Sequence, residues 1–482
     1  MQKNQANLGK IGVIDIGSNS IRLVIFDKYG RYPYPLFNER ITCKLGYGVQ
    51  QTKMLQKDRI DHALETIGRF SKIVKSAGLG SIHVIATAAS RQAINASEFL
   101  EPAEMLLGCK IRVLSGKEEA SLVARGLIAN IPKADGIIAD LGGGSLELIR
   151  VQKGEVKDTL SLNFGHLSDI KNNDFSNYLK KLNWENNKGK NYFYGVGGSF
   201  RALGMAYRYK KKYPIESLHG LTLSMSKTKR ILNKIIKNNG ILKGIPSSRK
   251  ETMSNAAKIM NIVLNETQTK NIMICGTSVR DGVVLESLAS SKFKKDPLLT
   301  TCKEIAKRTE RFSGLSKSLE KLLKCLIAIG DKKDLKRLLK AACLLADISW
   351  NENINSRAFR ATERILLLPV NSITHRERAW LSRALYFRYA RQFEMKKFPF
   401  DFKSILNKED LFTALVVGLA LRFAMTLSAG LPELIKNIQL DINSENLTVE
   451  CKGQAKILLV DHVHGRLKFL SDLLDRKLVI KS

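Results

Sequence analysis

The chain has 482 residues, 44% hydrophobic and 26% charged, the composition of an ordinary soluble globular protein and a length that divides into two to four domains. Its seven cysteines are odd in number, irregularly spaced and form no CxxC pair, which argues against a disulfide framework or zinc site and fits reduced thiols in a cytoplasm. Lys and Arg total 79 against 45 acids, and the net charge of +34 favours a polyanionic partner (nucleic acid, phosphorylated nucleotides or polyphosphate) unless basic residues simply coat every surface.

The opening MQKNQANLGK has no apolar run of the kind a secretory leader needs and leads straight into a strand. Residues 11–26, IGVIDIGSNSIRLVIF, read as strand, tight loop, strand. Helical periodicity follows over 54–77, a buried strand over 82–86, a helix over 89–107, a strand over 111–114 and a helix over 117–129. Residues 136–151, GIIADLGGGSLELIRV, then repeat the opening pattern of strand, Asp, apolar residue, Gly, two small residues, Ser, strand. The two acids, Asp15 and Asp140, stand 125 residues apart, which is a domain-sized duplication and not a solenoid period.

A third glycine loop, YGVGGSFR (194–201), follows a strand at 192–196, and a fourth lies in IMICGTSVRDGVV (272–284). From about 297 strand signals vanish and amphipathic helices run to about 430. Residues 438–450 suggest a hairpin turning at 443–446, followed by a strand and a last helix. The best candidate for a membrane span, 411–430, carries Arg422 and is rich in Ala and Gly, so it reads as a buried helix. Boundaries near 130 and 297 give three domains: 1–130, 131–296 and 297–482.

The loops invite phosphate. Gly17 lets the backbone turn and approach a ligand, and successive N–H groups can converge on an anion. Ser18, Asn19 and Ser20 add side-chain donors and Arg22 a charged one. In the second loop Gly142, Gly143 and Gly144 expose backbone amides, and Ser145 supplies a hydroxyl. Asp15 and Asp140, facing each other across a cleft, would form a Mg²⁺ site once phosphate oxygens complete the shell. Gly197, Gly198 and Ser199 offer a third phosphate-binding turn. The plainer alternative is a set of Gly-rich hairpins without a ligand.

DIGSNSIRL, TAASRQAINASEFL (87–100), LSGKEEASLVARG (114–126) and IADLGGGSLELI occur in an order and spacing that resembles the exopolyphosphatase/guanosine pentaphosphate phosphohydrolase family over roughly 10–290. The resemblance implies an α/β fold of two duplicated ribonuclease-H-like (actin-like) domains followed by a mainly α-helical C-terminal domain. It implies a cytoplasmic Mg²⁺-dependent hydrolase, with Glu119 as the base and Arg91 and Asn95 lining the same cleft. Glu147 would help to hold water or metal. Taken alone, Glu118 and Glu119 could be first-turn acids on a helix dipole, and Glu147 the polar face of a strand.

The implied substrate is inorganic polyphosphate, with guanosine pentaphosphate as the alternative. A non-hydrolytic sensor and a kinase of the same fold are the readings of other classes. A homodimer is the family expectation; neither membrane nor nucleic acid is required. RYKKKY (208–213) interleaves aromatics with cations, a pattern that could track a phosphate chain or RNA, but it reads first as a solvated loop. Asp461, His462 and His464 are too close in sequence to close a metal site alone. Where some family members carry a His-Asp metal pair, this chain has Ala346 before Asp347. Asp281 stands where Glu is commoner in the family.

Overall fold

The computed structural model describes residues 9–168, 192–286, 288, 295–391 and 398–481, which form two compact units. The first, ending at Lys294 and including Pro369–Asn371, holds two sheets. One contains β1 (Ile11–Ile16), β2 (Ile21–Phe26), β3 (Pro35–Ile41), β4 (Ser81–Ala86) and β5 (Arg112–Val113) in the order β3-β2-β1-β4-β5. The other contains β6 (Gly136–Leu141), β7 (Leu146–Gln152), β8 (Glu155–Leu162), β9 (Tyr192–Val196), β10 (Leu221–Ser224) and β11 (Asn271–Ile274) in the order β10-β11-β9-β6-β7-β8.

Read from β8 inward, the second sheet repeats the first and adds β10 at its edge. In each, an antiparallel hairpin (β1–β2, β6–β7) is followed by a third strand, and the first strand pairs in parallel with the fourth. The hairpins close at Ile16↔Ile21 and Leu141↔Leu146, so each spares four residues for its loop. IGVIDI and GIIADL show the same pattern of burial, with only Asp15 and Asp140 less than fully enclosed. Near-continuous apolar strands of this kind need cover on both faces. Helices α1 (Lys57–Ser76) and α2 (Ser97–Leu107) cover one face of the first sheet through Ile60, Ile67, Phe70 and Phe99.

Helices α3 (Gly116–Asn130), α4 (Gly198–Lys211) and α5 (Lys250–Thr267) follow, and α6 (Val279–Glu286) closes the unit. Leu122 and Val123 of α3 and Val283 of α6 share one core with Val13 of β1 and Ile138 of β6. The two helices touch backbone to backbone, since a Cβ on Gly282 would lie 2.1 Å from the Leu122 carbonyl oxygen. Both sheets are thereby fastened to one central layer.

The second unit is mainly helical and includes α7 (Lys332–Leu344), α8 (His375–Tyr389) and α9 (Lys408–Ser428). Helix α9 is long and apolar enough to cross a membrane, but 72% of its most apolar window is buried within the protein, as expected of a core helix. A three-stranded sheet, β12 (Ile438–Ile442), β13 (Asn446–Cys451) and β14 (Lys477–Lys481), completes the unit with α10 (Asp461–Leu473).

Three local expectations are corrected. The last helix precedes the last strand, because β14 finds its partner β13 through a parallel, non-local pairing that local periodicity does not reveal. RYKKKY is not a loop: it continues α4 to Lys211, where basic side chains suit a helix C-terminus, and Lys212 ends it in a left-handed turn. The helix expected over 89–107 is split into Ala88–Gln92 and α2, with Asn95 in the break.

Candidate active site

The duplicated hairpins bring their loops together. Within each, the glycine amide closes the turn onto the serine carbonyl: Gly17 to Ser20 at 3.1 Å and Gly142 to Ser145 at 2.9 Å. The next carbonyl of each loop is held from outside, Ser18 by the Gly46 amide at 2.7 Å and Gly143 by the Leu167 amide at 2.9 Å. A Cβ on Gly143 would lie 2.9 Å from Ser18 Cβ, and one on Gly144 3.0 Å from Ser18 Oγ. The glycine run is therefore needed for loop-to-loop approach as well as for ligand access. The amides of Gly143 and Gly144 donate to no protein acceptor among the described residues.

Between the loops lies a cavity of about 150 Å³. Asp15, Gly17, Ser18, Asn19, Ser20 and Arg22 line it from the first hairpin. Asp140, Gly142, Gly143, Gly144 and Ser145 line it from the second, with Gly197 and Gly198 from the third loop and Glu119 from α3. Gly197 adopts φ +92°, and a Cβ there would lie 2.6 Å from Asp140 Oδ1, so only glycine lets this turn cross the acid.

The two acids at the start of α3 have separate fates. Glu118 forms a capping box with Ser115, and with Arg112 this holds its carboxyl down at about 2. Glu119 instead turns into the cleft. It accepts from Arg91 Nη1 at 3.1 Å, and Arg91 is itself anchored on the Leu114 carbonyl at 2.6 Å. Burial raises Glu119 to about 7; Arg91 opposes this, while Asp140 and Asp15 reinforce it. Burial also raises Asp140 to about 6, against Arg201 and with Asp15.

Glu147 is near enough to feel the charge of Glu119 but does not line the cavity. It is almost wholly enclosed, accepts from Ser161 Oγ at 3.2 Å, and is pushed well above the carboxylate range by burial and then by Glu119. Three carboxyls, Asp15, Asp140 and Glu119, thus line one cleft, with Glu147 buried outside the lining. No group of three or more His, Cys, Asp or Glu side chains among the described residues converges closely enough to hold a metal by itself. Mg²⁺ needs no such cage, because it commonly takes one or two carboxylates and fills its shell with phosphate oxygens and water. The hard-oxygen donor pair Asp15 and Asp140 fits that mode, with Asp15 exchanging its present ion pair to Arg280.

The cation side was largely unanticipated. Besides Arg22, the cavity is lined by Arg40, Arg201, Arg249 and Arg280. Arg22 and Arg40 stand opposite each other across β2 and β3. Burial lowers Arg22 to about 9, with Arg280, Arg201 and Arg40 adding repulsion. Burial also lowers Arg249 to about 10, again with Arg40 and Arg201 repelling. Arg40 Nη2 and Arg249 Nη1 are buried without a protein partner among the described residues. Five crowded guanidinium groups, two of them with unfilled buried donors, make a setting suited to an anion. Of these, Arg201 and Arg280 lie inside glycine-loop motifs visible in the sequence, whereas Arg40 and Arg249 carry no motif.

His166 also faces the cavity. Burial, Arg249 and Arg40 depress it to about 3, so it is neutral; its Nδ1 lies 3.4 Å from Ser199 Oγ and its buried Nε2 has no protein partner among the described residues. Ser199 therefore supports His166 and does not line the cavity itself. Asn95 is also elsewhere: its amide is spent on the Leu55 backbone at 2.7 and 3.1 Å and on Glu98, locking the break before α2. Asp281 accepts from the Ser278 amide and hydroxyl at 2.8 and 2.7 Å, so it shapes the fourth loop.

A second cavity of about 310 Å³ adjoins the first and shares Arg22, Arg201, Ser278 and Arg280 with it. The chain matches the model of the Ppx/GppA phosphatase family over residues 24–291 and that of the exopolyphosphatase C-terminal domain over 311–480. Among solved structures it resembles an exopolyphosphatase from Cytophaga hutchinsonii, at 24% identity and TM-score 0.51, covering 57% of this chain and 96% of that one. A Ppx/GppA family member from Aquifex aeolicus aligns at 22% identity and TM-score 0.47, covering 58% and 97%. The likeness to the Cytophaga hutchinsonii structure is one of fold.

Proposed function

The chain belongs to the Ppx/GppA phosphatase family, and from that premise we propose that it is an exopolyphosphatase, removing the terminal phosphate of inorganic polyphosphate by attack of water. The observation that carries this reading is one cleft lined by five arginines and three carboxyls and built on two matched hairpin loops. The adjoining cavity, reached past three of the same arginines, supports a substrate longer than one phosphate.

In this mechanism the terminal phosphoryl group lies against the Gly143 and Gly144 amides and the hydroxyls of Ser18 and Ser145. The neutral His166 can donate from Nε2 without adding charge. Glu119, titrating near neutrality, accepts a proton from the attacking water as the new P–O bond forms and the bridging P–O bond breaks. Arg91 keeps that carboxylate aimed. The arginine collar takes up the charge developing on the departing chain end. Glu119 then returns its proton to solvent.

Asp15 and Asp140 would hold Mg²⁺, which when bound neutralises phosphoryl charge. A cytoplasmic setting accords with seven free cysteines, five of them buried. Guanosine pentaphosphate offers the same terminal group and is the second reading. Incubating the protein and Mg²⁺ with both substrates together tests the choice: preferential shortening of polyphosphate supports this reading, and preferential conversion of the nucleotide rejects it.

A further inference from the structure

Within the second unit, β12 is an edge strand, paired only with β13. Its register determines which backbone groups are spent. The Asn443 amide donates to the Asn446 carbonyl at 3.0 Å and the Lys452 amide to the Asn437 carbonyl at 2.9 Å. Between these two bonds the partners run Gln439↔Glu450 and Asp441↔Thr448. Hydrogen-bonded and non-bonded pairs alternate along an antiparallel ladder. Ile438, Leu440 and Ile442 therefore turn their N–H and C=O groups away from β13. None of the three makes a backbone hydrogen bond to another element among the described residues.

This open edge borders a groove of about 990 Å³. Across from it lies the short helical stretch Leu323–Ile329, and Ile435, Ile438 and Leu440 give the groove buried apolar walls. Six lysines line it: Lys321, Lys324, Lys332, Lys336, Lys436 and Lys452. The one acid in the lining, Asp441, already accepts from Gln439 Nε2 at 2.8 Å. Among the described residues, only Lys436 and Lys452 of the six have a carboxylate partner.

The two properties together select an occupant. A polyphosphate chain presents acceptors only, and would leave the outward carbonyls of Ile438, Leu440 and Ile442 facing anions. The β12 edge of a second copy would bring its own lysines against these. An extended peptide alternates donors and acceptors at the two-residue repeat of the strand, and acidic side chains on it would meet the lysine rim. We propose that the open edge of β12 and its lysine-lined groove bind an extended acidic segment of a partner protein by strand addition.

The test titrates the full chain with a fluorescein-labelled eight-residue peptide of alternating glutamate and valine. Saturable binding is expected. It should weaken at least about tenfold in a Lys324→Glu/Lys336→Glu double variant whose thermal midpoint is unchanged, and as much when alternate peptide amides are N-methylated. Absence of saturable binding would overturn the proposal. Binding indifferent to N-methylation would overturn strand addition, leaving charge alone. Dimerisation of the protein lost in the double variant would assign the edge to a second copy. Inorganic polyphosphate binding that is lost in the same variant, with no peptide binding, would make the groove a polyanion track instead.

Discussion

Replacing Glu119 with Gln should cost activity and add stability, and the two effects come from the same burial. Holding the carboxyl at about 7 instead of the ordinary 4.5 disfavours its charged form by about 3 kcal/mol. A folded-state value raised above the unfolded one contributes stability that is complete below pH 4.5 and is lost as the pH rises through 7. The glutamine carries no such penalty. It also relieves Glu147, which Glu119 pushes upward, while Arg91 keeps its bond to the Leu114 carbonyl. Loss of the Arg91 ion pair offsets part of the gain. Without substrate or metal, the variant should unfold at a higher temperature than the parent at pH 8, and the difference should shrink toward pH 5. Phosphate release should fall by about 10²–10⁴-fold, the range for loss of a positioned general base. Differential scanning calorimetry across pH, paired with a phosphate-release assay, reads both. A variant that is less stable at pH 8, or one that turns over normally, would refute the reasoning.

Arg249→Ala should raise KM for polyphosphate by about 10–100-fold, the value of a lost charge-assisted hydrogen bond, and steady-state kinetics at fixed ionic strength checks this. Gly143→Ala places a methyl group 2.9 Å from Ser18 Cβ; activity should fall about a hundredfold through misplaced loops while circular dichroism shows the secondary structure intact. The pH–rate profile should have an acidic limb set by protonation of Glu119, at or below its metal-free value of about 7 because Mg²⁺ on Asp15 and Asp140 removes their charge. His166→Gln should leave that limb in place, because His166 is neutral down to about 3.

The cleft was legible because its parts are local. A strand, an acid and a glycine turn are consecutive in sequence, and their recurrence after 125 residues announces the duplication that the two sheet orders display. Glu119 was identified by resemblance, not by its own neighbourhood; only three dimensions separate it from Glu118, which caps the helix. Arg40 and Arg249 were missed since each reaches the cavity from an element whose place depends on long-range packing. Asn95 and Ser199 look like cleft residues in the sequence, although their side chains bond to Leu55 and Glu98 and to His166. Polar residues beside a site motif look alike in sequence whether they touch the ligand or the scaffold. β14 was misplaced because its partner lies earlier in the chain, with a helix between.

The most direct test of the account is a single turnover on inorganic polyphosphate in ¹⁸O-labelled water with Mg²⁺, with the first orthophosphate released analysed by mass spectrometry. Attack of water on the terminal phosphorus predicts one ¹⁸O atom in that orthophosphate and a chain shortened by one residue. Unlabelled orthophosphate, internal cleavage of the chain, or transfer of the phosphoryl group to an added acceptor would contradict it.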